Sequence, residues 1–300
     1  MFFRNLFLYR VDPQARLDVD HLEERLGRLP LGRCGARDMH TRGWVSPSGE
    51  GALVHAVQRQ LMIALGVEQK LLPASVIKDA AAERAAQVEA QQGHPVGRRQ
   101  MRDIKEQMTD ELLPRAFSRR HTTYAWIDAA AGIMAIDAGA PAKADAVIEV
   151  LRATLDDVPC ALLQTQLGAG AAMTRWVAGD DPPSGFTFDS ELELRAPDTS
   201  KATVRYVRHP LDGEDIRRHI AAGKTVTRLG MTWRDRVSFV LTDLLQVKRL
   251  DFLEVLEREP ESAQDENTAD RFDLDFALMA GELSRLVAEL IDALGGEKAD

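Results

Sequence analysis

Apolar positions alternate along residues 2–11 on both faces, as in a strand covered on each side of a sheet. Asp18 then opens a short helix carrying Leu22, Leu26 and Leu29, closed by Pro30 and Gly32. Gly35, Gly43, Pro47, Gly49 and Gly51 punctuate what reads as a loop around Trp44. Residues 52–67 follow as two strands that end at Leu71, Leu72 and Pro73. Ser75 can cap a helix over 76–92 that is rich in Ala, Glu and Gln but poor in large apolar side chains, which places it on the surface. Gly93, His94, Pro95 and Gly97 break it. The next helix sets Met101, Ile104, Met108 and Leu112 on one stripe and Arg98, Arg102 and Lys105 on a neighbouring one. Pro114 ends it, so the pattern predicts a helical hairpin inserted into a sheet domain, with Phe117 at its return to the body.

Residues 122–128 and 132–137 read as a β-hairpin, and 142–155 as a helix with Val147, Ile148 and Leu151 inward. Gly168, Gly170, Gly179, Asp180, Asp181, Pro182 and Pro183 make 166–185 the best domain boundary. A second sheet is predicted from 186–194, 202–207, 225–232, 237–242 and 247–252, with a helix over 215–222. Residues 257–269 read as an acidic loop. The closing helix, 270–294, has Phe272, Phe276, Met279, Leu283, Leu286 and Leu290 at core spacing and Gly295-Gly296 as its cap. The class is α+β: antiparallel or mixed sheets, flanking helices and an inserted helical hairpin. The expected parts are a central α+β domain (1–75 plus 119–165), the helical insertion (76–118) and a base α+β domain (166–300).

The 300 residues are 45% hydrophobic, ample for buried cores. Their formal net charge of -9 argues against coating a polyanion by bulk charge. The charge is segregated, however. Residues 251–300 hold fifteen acidic against four basic side chains, which leaves the first 250 residues net positive. Cys34 and Cys160 are too few for a disulfide scaffold and lack CxxC spacing, so reduced thiols are expected. Arg4 and Arg10 interrupt the apolar start, and no apolar run reaches the ~20 residues of a membrane helix. A cytoplasmic, membrane-free protein is the expectation.

No phosphate loop, dinucleotide fingerprint, zinc-protease pair or nucleophile elbow occurs, and no catalytic residue, metal or cofactor is assigned. Asp273, Asp275 and Glu282 could serve a metal-dependent nuclease, although carboxylates at i, i+2 on a helix face different directions. Cations are the stronger signal. Arg115, Arg119 and Arg120 surround Phe117 in one turn, where arginines can neutralise phosphates and an exposed ring can stack on bases. The plainer alternative makes Phe117 a core residue whose neighbours face water. A second cationic sector holds Lys201, Arg205, Arg208, His209, Arg217, Arg218, Lys224 and Arg228. Arg205 and Arg208 would point to opposite faces of a strand, so a turn at His209-Pro210 must intervene if both serve one ligand. A solvated, cation-protected strand edge is the alternative there.

Three signatures taken together resemble the RdgC family of recombination-associated proteins. They are Leu31-Gly32-Arg33-Cys34-Gly35 through Asp38-Met39 to Gly43-Trp44-Val45; Leu112-Leu113-Pro114-Arg115-Ala116-Phe117-Ser118-Arg119; and Arg271-Phe272-Asp273 through Phe276, Met279 and Gly281-Glu282-Leu283. The resemblance implies a non-enzymatic, nucleoid-associated bacterial protein that binds duplex DNA with little sequence preference and antagonises RecA. Single-stranded DNA stays open as a further ligand. It also implies a ring-shaped homodimer with central, base and helical tip regions and DNA through the hole. Arg115 and Phe117 match tip residues implicated in DNA contact. Arg208 stands where the family has a functionally important lysine; Arg keeps the charge and grips phosphate bidentately. The candidate DNA-binding set is therefore Arg98, Arg102, Lys105, Arg115, Phe117, Arg119, Arg120, Arg205, Arg208 and Lys224.

Overall fold

Alternation along the strands sorts their side chains onto two faces, and both faces of the larger sheet are covered. The computed structural model describes residues 2–12, 15, 17–49, 51–155, 160–253 and 268–298. In chain order these form β1 (Phe7–Val11), α1 (Val19–Leu26), β2 (His40–Val45), β3 (Val54–Val57), β4 (Gln60–Lys70), α2 (Ala74–Gln92), α3 (Arg98–Leu112), a 3₁₀ turn (Leu113–Arg115), β5 (Ser118–Asp128), β6 (Ile133–Ile136) and α4 (Pro141–Thr154). There follow β7 (Cys160–Leu162), α5 (Ala169–Gly179), β8 (Phe186–Arg195), β9 (Thr203–Val207), α6 (Glu214–Ala221), β10 (Thr225–Trp233), β11 (Val237–Thr242), β12 (Val247–Phe252) and α7 (Thr268–Ala293). The larger sheet runs β2-β4-β5-β6-β1-β7, with β3 also on β4, and the smaller runs β12-β11-β10-β8-β9. The ladders joining these strands are antiparallel. The fold is α+β, as the pattern predicts.

One face of the larger sheet, with Tyr9, Leu61, Ile63, Ile127 and Met134, packs on α1 and α4. The other face, with Leu8, Met62, Trp126, Ile133 and Ala135, shares a second core with α5, α7 and the smaller sheet. Burying two faces explains why residues 7–9 and 133–136 are buried without a polar alternate. Helix α7 fits its stripe to that core: Phe276, Met279, Leu283, Leu286 and Leu290 are buried and Phe272 partly so. The N-terminal segment ties the sheets together. Leu6 and Val247 exchange two backbone hydrogen bonds (2.8 and 3.1 Å), and Leu250 donates to Arg4 (2.9 Å). Asp137 accepts from the amides of Arg4 (3.2 Å) and Asn5 (2.9 Å), and burial raises its pKa.

Several local expectations need correction. Residues 40–45, read as loop, are β2, because Gly43 leaves room for segment 29–31 to lie against the strand. Trp44 donates to the Leu29 carbonyl (2.8 Å), Leu31 donates back to Trp44 (3.0 Å), and the buried indole bonds Thr154 (3.0 Å). Strand β7 was not foreseen. Residues 169–179, inside the stretch read as a boundary, form α5; its small residues let it approach β10 closely, with Gly170 against Val226 and Asp243. Ser75 does not cap α2, which starts at Ala74 after Pro73 without a side-chain cap. Residues 268 and 269 belong to α7, and the rest of the acidic loop, 257–267, lies outside the described residues.

A Cβ on Gly43 would stand 2.5 Å from the backbone of Pro30 and Leu31, whereas one on Gly97 meets nothing within 4 Å. Gly43→Ala is expected to lower unfolding stability by about 1–3 kcal/mol, the usual range for overpacking. Gly97→Ala serves as the neutral control, and denaturant melts of the pair check the difference.

Candidate nucleic-acid interface

Strands β4 and β5 pair over their whole length, from Gln60 opposite Asp128 to Lys70 opposite Ser118, and the α2–α3 hairpin leaves from that last pair. Its two helices hold together through a separate small cluster of Ala81, Ala85, Ile104 and Met108, with Val88, Val96 and Met101 alongside. The alanines of α2 let α3 lie close, and the outward face of α3 carries the exposed Arg98, Arg102 and Lys105. At the root, Leu113 takes the buried position, and Pro114 starts the turn that sends the following residues outward. Phe117 is 85% exposed, and its backbone carbonyl accepts from Leu71 (2.7 Å). It is not a core residue. Met39, Leu71 and Val76 are also exposed near this root, where Lys70 donates to the Met39 carbonyl (2.8 Å).

The cations differ in what they face. Arg98, Lys105, Arg115 and Arg119 have no ion-pair partner among the described residues, and Arg102 reaches Glu106 only at 3.9 Å. Arg120, by contrast, donates to Glu68 (2.7 Å), whose oxygens are mostly shielded. That bond holds the Glu68 carboxyl below the usual range. His121 is shifted down by burial and by Lys143 and Arg119, which favours the neutral imidazole.

In the smaller sheet, β9 is an edge strand and Arg205 is not a free cation. It donates to the buried Glu193 (2.6 Å), which also accepts from Arg195 (3.0 Å) and Thr227 (2.9 Å). Burial alone would raise the Glu193 pKa, yet these donors bring it below normal. Arg208 follows the end of β9 in the left-handed region (φ 54°), so the chain bends at Arg208 and not at His209-Pro210, and Arg208 is exposed without an ion pair among the described residues. Tyr206 packs its ring 5.2 Å from His209, and burial and the bond to Asp215 push its phenol up to about 12. Lys224 is half-buried, with Nζ 3.4 Å from His219 Nδ1. Arg115, Phe117 and Arg119 thus lie together at the hairpin root, while Arg208 and Lys224 belong to the other sheet. Arg195, Lys248 and Arg249 escaped the sequence reading; only strand register brings them beside Arg228.

Two of the three carboxylates of the nuclease alternative have partners of their own. Asp273 lies 3.3 Å from His55, which sits edge-on to Phe272 and Phe276. Glu282 is bound by Arg236 (2.8 Å) and Arg285 (2.6 Å). Among the described residues no group of three His, Cys, Asp or Glu side chains is arranged to hold a metal ion.

Residues 1–297 match the family model described as "Putative exonuclease, RdgC". The chain belongs to the RdgC family. It is similar to the protein named "Recombination-associated protein RdgC" of Dechloromonas aromatica (strain RCB), with 50% identity covering 99% of this chain and 98% of that one. Similar relatives of the same printed name come from Herminiimonas arsenicoxydans, 48% identical over 100% of this chain and 99% of the relative, and Cupriavidus necator, 50% identical over 99% of each. The RdgC match thus spans sheets, hairpin and closing helix together. No helix among the described residues is long and apolar enough to cross a membrane.

Glu68 and Glu193 both have depressed pKa values in the folded chain. Their stabilising contribution is therefore complete above the unfolded glutamate value of about 4.3 and is lost as pH falls through the lower folded value. Stability is expected to drop from about pH 4 downward, and Glu68→Gln and Glu193→Gln should each flatten that acid limb in melts recorded against pH.

Proposed function

We propose that this protein binds duplex DNA without sequence preference, as a homodimer that encloses the duplex, and that it antagonises RecA-dependent recombination at the bacterial nucleoid. The observation that carries this reading is Phe117, 85% exposed between Arg115 and Arg119, two guanidiniums without carboxylate partners among the described residues. An exposed ring offers a stacking or wedging surface, and the arginines supply phosphate contacts. Arg98, Arg102 and Lys105 extend the phosphate-binding surface along α3, and Arg208 contributes from the base. Arg120 and Arg205 act through their carboxylates as supports. The turns lack the Asn/Gln/Arg helix face that reads base edges, which favours sequence tolerance.

In this reading residues 76–118 are the tip, 1–75 with 119–165 the centre, and 166–300 the base. In this reading the protein is a binder and not a nuclease, a preference supported by Asp273 lying against His55 and by Glu282 taking two arginines.

Phe117→Ala separates contact from packing. DNA affinity in gel shifts is expected to weaken by about 1–3 kcal/mol, while the melting temperature stays unchanged as for other exposed positions. A large fall in melting temperature with unchanged DNA binding would refute the assignment. For the enclosing dimer, protein loaded on a closed DNA circle should survive a high-salt wash that strips it from the linearised DNA; equal loss from both would refute enclosure.

A further inference from the structure

A cleft of about 580 Å³ opens between the smaller sheet and the start of α4, away from the hairpin. Its walls carry Arg195, Arg205, Arg228, Lys248 and Arg249, against two carboxylates, Glu193 and Asp243. Register explains the convergence: on β10, Arg228 stands opposite Glu193 of β8 on one side and Thr242 of β11 on the other. Glu193 makes no ion pair with Arg228; one of its oxygens accepts from Arg195 and Thr227 and the other from Arg205. Arg249 is paired outside the cleft, with Glu191. Arg228 makes no ion pair among the described residues, and its Nε is shut off from solvent without an acceptor.

Lys248 meets Arg228 with no carboxylate assigned to either. Its ammonium donates to the Gly139 carbonyl (3.2 Å) and lies 4.3 Å from the centre of the Phe7 ring. Burial and, after it, Arg228 lower its pKa. Gly139 and Pro141, at the start of the 14-residue α4, also line the cleft, and that helix has no side-chain cap. Pro141 brings no N–H to the cleft, so that end adds only the partial positive charge of the helix start.

We propose that this cleft is a binding site for one phosphate group, gripped by Arg228 and Lys248 and bordered by Arg195 and the start of α4. A tetrahedral oxyanion offers oxygens to both the guanidinium fork and the ammonium, and it relieves the Arg228–Lys248 repulsion. The group is either free phosphate or a DNA backbone phosphate. The site goes beyond the proposed DNA contact at Phe117 and rests on that reading only if the phosphate comes from DNA.

The test uses the full chain with inorganic phosphate and pyrophosphate as probes, read by calorimetry and thermal shift, and DNA titrated against salt. Wild-type protein is expected to bind the probes saturably. Arg228→Gln and Lys248→Gln, each checked by circular dichroism for folding, should weaken that binding about tenfold or more. Phe117→Ala should leave it unchanged, so loss of DNA binding at Phe117 and loss of this site are told apart. If the Arg228→Gln change also reduces the slope of log affinity against log salt by about one, the occupant is the DNA backbone; an unchanged slope assigns free phosphate. No saturable probe binding by the wild type, or equal binding by both folded variants, overturns the site.

Discussion

The pairing of β4 with β5 is the constraint on which the candidate interface depends. Eleven residue pairs run without a register shift from the doubly covered centre of the larger sheet to its exposed end. The burial of β5 follows that path: Ala125 to Asp128 are buried and Ser118 to Arg120 exposed. A ladder secured in the core therefore carries its polar end out of it. There it fixes the spacing of the two chain ends from which α2 and α3 arise, and the hairpin needs only its own four-residue cluster to stay closed. Phe117 is outside the core because the ladder begins one residue later, at Ser118, while Leu113 has already filled the apolar position at the root.

A chain of net charge -9 can present cations to a polyanion only if its carboxylates are disposed of locally. They are, in part. Glu68 takes Arg120, Glu193 takes Arg195 and Arg205, Glu282 takes Arg236 and Arg285, and Glu289 takes Arg234 (2.7 Å). Among the cations this leaves over are Arg98, Lys105, Arg115, Arg119 and Arg208, none with an ion pair among the described residues. Screening confines such charges to roughly 8 Å at physiological salt, so the local surplus outweighs the global sign. Pairing also divides the arginines by role: a guanidinium held by a shielded carboxylate is part of the scaffold, and one facing solvent is available to a ligand.

Much of this is legible in the sequence. The helical hairpin, the two-sided burial of residues 7–11, the α7 stripe and the exposure of the cations on α3 follow from periodicity alone. Strand β2 was hidden because Gly43 and its flanking glycines read as loop, when the missing Cβ is what admits segment 29–31. Helix α5 was hidden for a similar reason, its glycines marking close packing on β10 and not a linker. The fates of Arg120 and Arg205 could not be read locally, since Glu68 lies 52 residues from its partner and Glu193 meets Arg205 only through the β8–β9 ladder. The same holds for the Arg228–Lys248 cleft, assembled from strands and a helix start far apart in sequence.

The central claim, that unpaired cations at the hairpin root bind DNA while paired ones hold the scaffold, is tested most directly by comparing adjacent arginines. Arg119→Gln is set against the charge-neutral double change Glu68→Gln with Arg120→Gln, and DNA affinity is titrated across salt concentration for each. The account predicts that Arg119→Gln weakens binding and lowers the slope of log affinity against log salt by about 0.9, one phosphate contact, while the double variant keeps the wild-type slope. A double variant that loses the slope while Arg119→Gln retains it would contradict the account.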